Sequence, residues 1–147
     1  MIRAYINQDR LQVMDLLKQN TPKHFDISEE SAFENYWDSE IEDYFVSLED
    51  SKIIGAGGIN YFLEEKMAKI SWDIIDPQAQ GKGIGKELTQ FRINHLNKNP
   101  NVHIITVRTS QLVYTFYEKM GFKLVKVKPN FWAKNFHLYQ MEMTNKK

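Results

Sequence analysis

The chain has 147 residues, 42% of them hydrophobic, and balances 19 Lys and Arg against 19 Asp and Glu for a formal net charge of +0. That balance excludes a disordered chain and a whole-protein electrostatic drive toward nucleic acid or an anionic membrane. Cysteine is absent, which excludes disulfides, thiolate metal sites and a cysteine nucleophile.

Ile2 to Ile6 reads as a first strand, followed by a helix capped by Asn7 or Asp9, with Leu11, Met14, Leu17 and Val13 as its apolar stripe. Thr21-Pro22 breaks that helix. Ser28 and Ser31 open a second one carrying Phe33, Tyr36 and Trp37. Tyr44–Leu48 and Lys52–Phe62 form a hairpin about Glu49-Asp50-Ser51, and Gly55, Gly57 and Gly58 signal a bulge or a close backbone contact. Met67–Ile75 is a strand closed by Asp76-Pro77. Alternation places Lys69, Ser71, Asp73 and Ile75 on one face and Ile70, Trp72 and Ile74 on the other. Gly83–Asn97 has helical spacing with Ile84, Leu88, Phe91 and Leu96 toward the core, and Val102–Val107 is a β-branched strand. Gln111–Met120 is a helix stopped by Gly121, and Phe122–Val127 and Phe136–Met143 are strands flanking Pro129-Asn130. The order is β-α-α-β-β-β-α-β-α-β-β. No apolar run approaches the ~20 residues of a membrane span and no apolar leader opens the chain. We therefore expect one α/β domain over residues 1–147 in the cytoplasm, with no membrane or nucleic-acid partner.

Charge is uneven along the chain. Ten acids lie between Asp26 and Asp50 without one Lys or Arg, and Gly121–Lys147 reverses the balance. The acids are either a solvated face or a rim that attracts a cationic substrate. His24, His95, His103 and His137 are scattered without metal-ligand spacing, so no metal is expected. Phe131, Trp132 and Phe136 suggest a loop closing one side of a site, or a homodimer contact.

The most informative segment runs from Ile74 to Leu88: a strand enters a glycine-rich turn, and the turn opens a helix. Unpaired N–H groups and the positive end of the helix dipole converge there on one spot, which is an anion cradle. A nucleotide-binding Walker loop would need Ser or Thr where Glu87 follows Lys86, and a dinucleotide fingerprint would need glycine at Lys86 or Leu88. Both nucleotide motifs fail.

Gln80, Gly83 and Gly85 instead resemble the acetyl-CoA-binding signature Gln/Arg-x-x-Gly-x-Gly/Ala of the GNAT superfamily of N-acetyltransferases. A second element, Phe116-Tyr117-Glu118-Lys119-Met120-Gly121-Phe122, resembles that family's Phe-Tyr-Glu-Lys-x-Gly-Phe. The two motifs cover Ile74 to Phe122, and the element order fits the fold over nearly the whole chain. The resemblance implies a mixed, mostly antiparallel sheet of about seven strands flanked by helices and splayed between strands 4 and 5. It implies that the backbone of Ile74 and Ile75 pairs with the pantetheine arm. The N–H groups of Gln80, Gly81, Lys82, Gly83, Ile84, Gly85 and Lys86 would hold the pyrophosphate. It further implies direct transfer of acetyl from acetyl-CoA, as co-substrate, to a primary amine. Tyr117 would then protonate the leaving thiolate, since a phenol with a pKa near ~10 is protonated at neutral pH. Ser110, two helical turns before Tyr117, stands where relatives often carry a cofactor-contacting Asn. Lys69 stands where some carry a glutamate base, which leaves Asp73 as the candidate proton acceptor. The alternative is a CoA-binding sensor or interaction module on the same fold that has lost transfer.

Overall fold

In the computed structural model the described residues are 1–21, 23 and 25–146. Pro22, expected to break the first helix, and His24 lie outside them. The strands are β1 (Ile2–Ala4), β2 (Asp43–Glu49), β3 (Lys52–Phe62), β4 (Met67–Ile75), β5 (Ile104–Thr109), β6 (Lys123–Ala133) and β7 (Phe136–Thr144). The helices are α1 (Arg10–Gln19), α2 (Glu29–Ser39), α3 (Ile84–Asn97) and α4 (Tyr114–Lys119). One seven-stranded sheet runs β1-β2-β3-β4-β5-β7-β6. The β4–β5 pair is parallel and the other neighbours are antiparallel.

Two cores cover the two faces of this sheet. α1 and α2 lay Val13, Leu17, Phe33 and Trp37 on Tyr44, Val46 and Ile74. α3 and α4 lay Leu88, Leu96 and Tyr117 on Ile59, Ile70, Val107 and Met141. β3 lies between the two helical layers and is buried from Ile53 to Asn60.

The sheet opens in its middle. β4 and β5 pair from Met67–Ile104 to Ile70–Val107, and no pair follows although both strands continue. This is the expected splay. A second irregularity decides what faces it. Gly58 pairs with Ser71 and Ala56 with Ile74, so Trp72 and Asp73 together oppose Gly57 alone. Such a two-against-one bulge shifts the phase of a strand by one residue, and Trp72 takes the left-handed φ of 52° that makes the shift. The alternation expected for β4 is thereby overturned. Asp73 and Ile75 share the α3–α4 face with Ile70, while Ser71, Trp72 and Ile74 look toward α2.

Other expectations move for equally physical reasons. Leu11 is 79% exposed, because the helix turns Val13, Met14, Leu16 and Leu17 inward and leaves position 11 on the opposite side. Neither Asn7 nor Asp9 caps α1 through its side chain. Asp9 instead accepts from the Ile6 N–H and grips Arg3, locking the strand-to-helix turn. α4 starts only at Tyr114, since Ser110 O collects the Val113 and Tyr114 N–H groups in a preceding turn. β6 runs through Pro129-Asn130, where its pairing with β7 is interrupted after Lys128 and resumes at Ala133. Proline is tolerated at such a break because no ladder bond is required of it.

Candidate active site

The gap between β4 and β5 opens into a cavity of about 580 Å³. Its walls are Ile70 to Asp73 and Ile75 from β4, Val107 to Thr109 from β5, the turn before α3, and Ser110, Leu112, Val113 and Thr115 to Tyr117 around α4.

At one wall the turn is built from backbone. Asp76 accepts from the Gln78 N–H and closes a short 3-10 turn that ends β4. Gly81 and Gly83 then take φ of 85° and 82°, a region that disfavours any side chain. A Cβ at either position would meet nothing within 4 Å, so the peptide faces open space there. The N–H groups of Gly83, Ile84, Gly85 and Lys86 have no acceptor among the described residues. Lys82 differs from expectation, because its N–H turns back to Ala79 O at 3.3 Å. Asn20, at the end of α1, ties the turn to the strand. Its Nδ2 donates to Ile75 O at 2.9 Å and its Oδ1 accepts from Gln80 Nε2 at 3.4 Å. Ile74 and Ile75 pair with β3 on one side and have no partner strand on the other. Free N–H groups at a positive helix end, with lysines beside them, suit a diphosphate.

The opposite construction holds Tyr117. Its hydroxyl donates to Asp73 Oδ2, and Arg92 Nη1 donates to Asp73 Oδ1 at 2.5 Å. Arg92 is fully buried, also donating to Gly58 O at 3.0 Å and Leu88 O at 3.3 Å. Burial, then the Asp73 charge, pushes the Tyr117 phenol well above its ordinary range, so it stays protonated. Asp73 therefore does not stand alone as a proton acceptor: both its oxygens are engaged. Sequence reasoning missed Arg92, though a signal existed. Ile84, Leu88 and Leu96 repeat every four residues or eight, and Arg92 is the rung between Leu88 and Leu96. Gly57 is the counterpart signal, since a Cβ there would lie 2.7 Å from Asp73 Oδ1 and 2.8 Å from Arg92 Nη1.

Ser110 is buried in the cavity wall, where its Oγ accepts from the Leu112 N–H at 3.2 Å. The acidic stretch splits. Asp26 and Glu29 line the main cavity beside Phe25 and Trp72, and Glu40 and Glu42 line a smaller recess with Tyr36, Lys69 and Trp72. Burial, helped by Asp26, raises the Glu29 carboxyl to about 7. Among the described residues no group of three or more His, Cys, Asp or Glu could hold a metal, and no helix is long and apolar enough to cross a membrane.

A family model described as an acetyltransferase (GNAT) domain matches residues 12–145. The mycothiol acetyltransferase of Streptomyces griseus subsp. griseus is 30% identical over 81 residues, which cover 54% of this chain and 26% of that protein. The match thus spans about a quarter of that relative's length. The ribosomal-protein-S18-alanine N-acetyltransferase of Escherichia coli superposes with a TM-score of 0.83 at 16% identity, covering 100% of this chain and 94% of its own. An aminoglycoside 6'-N-acetyltransferase complexed with coenzyme A superposes with a TM-score of 0.77 at 16% identity, covering 98% and 96%.

Proposed function

This chain belongs to the GNAT acetyltransferase family, and on that premise we propose that it moves the acetyl group of acetyl-CoA to a primary amine by direct transfer, as one N-acetyltransferase domain. The observation that carries the reading is the parting of β4 and β5 beyond Ile70 and Val107. It ends at a turn of free N–H groups and has a tyrosine hydroxyl in its wall. Ile74 and Ile75 supply the backbone edge for the pantetheine arm. Gly83, Ile84, Gly85 and Lys86 supply donors for the diphosphate, with Gln80, Gly81 and Lys82 shaping the turn beneath it. Acetyl-CoA brings the activated thioester; everything else is this chain's work.

Transfer needs a neutral amine and a proton for the departing thiolate. Tyr117 is the donor in this reading, and its protonation through the neutral range supports that role. Asp73 works with it as the acceptor that holds its hydroxyl. Ser110 shapes the wall through its bond to Leu112 rather than reaching outward. The carboxylates of Asp26 and Glu29 at the cavity support a cationic acceptor, and the aromatic faces of Phe25 and Trp72, stacked at 6.2 Å, give its carbon chain an apolar wall. A chain without cysteine suits a reducing cytoplasm. The test is a thermal-shift titration with acetyl-CoA, followed by CoA release over small amines, polyamines, aminoglycosides, amino acids and peptides. Stabilisation with release for one class is expected. Stabilisation by ATP or NAD but not acetyl-CoA would end the reading.

A further inference from the structure

We infer that Arg92 is a positioning residue for acetyl transfer: it fixes Asp73, and Asp73 in turn holds the Tyr117 hydroxyl at the cavity wall. The inference rests on reading Tyr117 as the proton donor. Arg92 lies on α3 with its side chain wholly removed from solvent, and a guanidinium is tolerated there only when paired and hydrogen-bonded. An apolar residue would fill the same rung between Leu88 and Leu96 without that demand. The chain keeps the charge and clears room for it, because Gly57 leaves the space into which any Cβ would intrude. The β4 bulge then turns Asp73 onto this face. Arg92 takes one carboxylate oxygen and leaves the other for Tyr117, 44 residues along the chain.

This arrangement also changes what Asp73 does. With one oxygen on Arg92 and the other on Tyr117, the carboxylate turns no free oxygen toward a substrate amine. It is a good hydrogen-bond acceptor for a phenol. The charged and titratable groups that face it are Arg92 from α3, Tyr117 from α4 and Tyr44 from β2, and Tyr36 from α2 lies within the field of Arg92. Removing the Asp73 charge leaves Arg92 as the charge nearest Tyr117, so the phenol ionises at lower pH. Removing Arg92 takes away the cation that draws the phenol down, so Tyr117 ionises at higher pH still.

The experiment compares the parent with Arg92→Met, Arg92→Lys and Asp73→Asn. Single-turnover transfer is followed over about pH 5 to 10, together with acetyl-CoA affinity. Tyr117 ionisation is read as the ultraviolet difference from the matching Tyr117→Phe protein. Arg92→Met should slow transfer by about 10²-fold, the scale of a misplaced reacting group. Its acetyl-CoA affinity should stay near parental, and its Tyr117 should ionise at higher pH. Arg92→Lys should bring back most of the rate and the parental Tyr117 titration. Asp73→Asn should lower the pH at which Tyr117 ionises. A parental rate and Tyr117 titration in Arg92→Met would overturn the inference, and so would an unmoved Tyr117 titration in Asp73→Asn. Should Arg92→Met fail to fold, the Asp73→Asn titration decides alone. A parental rate in Tyr117→Phe with the titration shifted removes the donor reading. A slowed Tyr117→Phe with no shift removes Arg92 alone.

Discussion

The turn from Gln80 to Lys86 and the network of Arg92, Asp73 and Tyr117 serve one cavity and are built in opposite ways. The turn is backbone, open to solvent, with two glycines at positive φ and its lysines exposed. The network is side chain, anchored on a fully buried Arg92, and drawn from three elements that meet only in the folded sheet. What differs is the origin of precision. In the turn it comes from the angles of adjacent peptides. In the network it comes from one carboxylate that holds two groups, so removing Asp73 takes a partner from both Arg92 and Tyr117.

On the proposed reading the network does the chemistry and the turn the binding, and the largest expected effect tests that division. Tyr117→Phe keeps the ring and should slow single-turnover transfer by roughly 10²–10⁴-fold, the range of general acid catalysis. Acetyl-CoA affinity by calorimetry should stay near parental. A tenfold loss of affinity instead would show the network binding as well as reacting. Because the folded Tyr117 pKa is raised, its protonated form persists as pH climbs. The parental rate should therefore show no alkaline fall below about pH 10, the ordinary phenol value.

Gly83→Val attacks the other side. The new side chain enters the space beside the free N–H groups and forces a left-handed residue, which costs roughly 1–2 kcal/mol. Losing one or two charge-assisted bonds of about 1.5–3 kcal/mol each should weaken acetyl-CoA binding some ten- to hundredfold or more. At saturating acetyl-CoA the chemical step should be close to parental. A selective loss of that step would erase the division of labour.

Two alanine substitutions contrast the regions by stability. Gly57→Ala sets a Cβ against Asp73 and Arg92 inside 3 Å, and overpacking of this kind costs about 1–3 kcal/mol. Gly85→Ala meets Phe116 at an ordinary 3.5 Å and should stay within about 1 kcal/mol of parental, since alanine also favours the helix. Urea midpoints check both. Equal midpoints would mean that the space beside Gly57 is not held by the ion pair.

The smallest effect concerns the acids. Glu29 sits at about 7 because burial favours its neutral form, so its charge appears as pH rises through that value. For a cationic acceptor KM should fall over the same interval and rise with salt. Glu29→Gln should flatten both dependences by a few-fold, as expected of a partly exposed pair worth about 0.2–1 kcal/mol. An unchanged profile returns Glu29 to a solvated face.

The same contrast explains what could be read before folding. The turn prints itself in seven adjacent residues, so Gln80, Gly83 and Gly85 could be matched directly. The helical layers were legible because Phe33, Tyr36 and Trp37 or Leu88 and Leu96 repeat at helical spacing. Of the network, Tyr117 stood in the second motif, and its supports left only gaps: a glycine where a strand should carry a side chain, and an arginine where a stripe should be apolar. Asp73 was found but placed on the wrong face, since Ser71-Trp72-Asp73 contains no glycine or proline to announce a bulge. Leu11 misled for a related reason, as four inward residues outvoted one outward leucine.

The bulge at Trp72 makes this stretch of β4 sensitive to its length as well as its composition. A substitution at position 72 alters one contact surface with α2 and leaves the count of residues between Ser71 and Ile74 intact. A single-residue deletion there would keep nearly every side chain and still reverse the reading frame of the strand. Asp73 would swing from Arg92 to the far layer or drag Ile74 and Ile75 out of step with β3. Across homologous chains, this segment should therefore hold its residue count and its aspartate fixed while position 72 changes among residues that accept a left-handed φ.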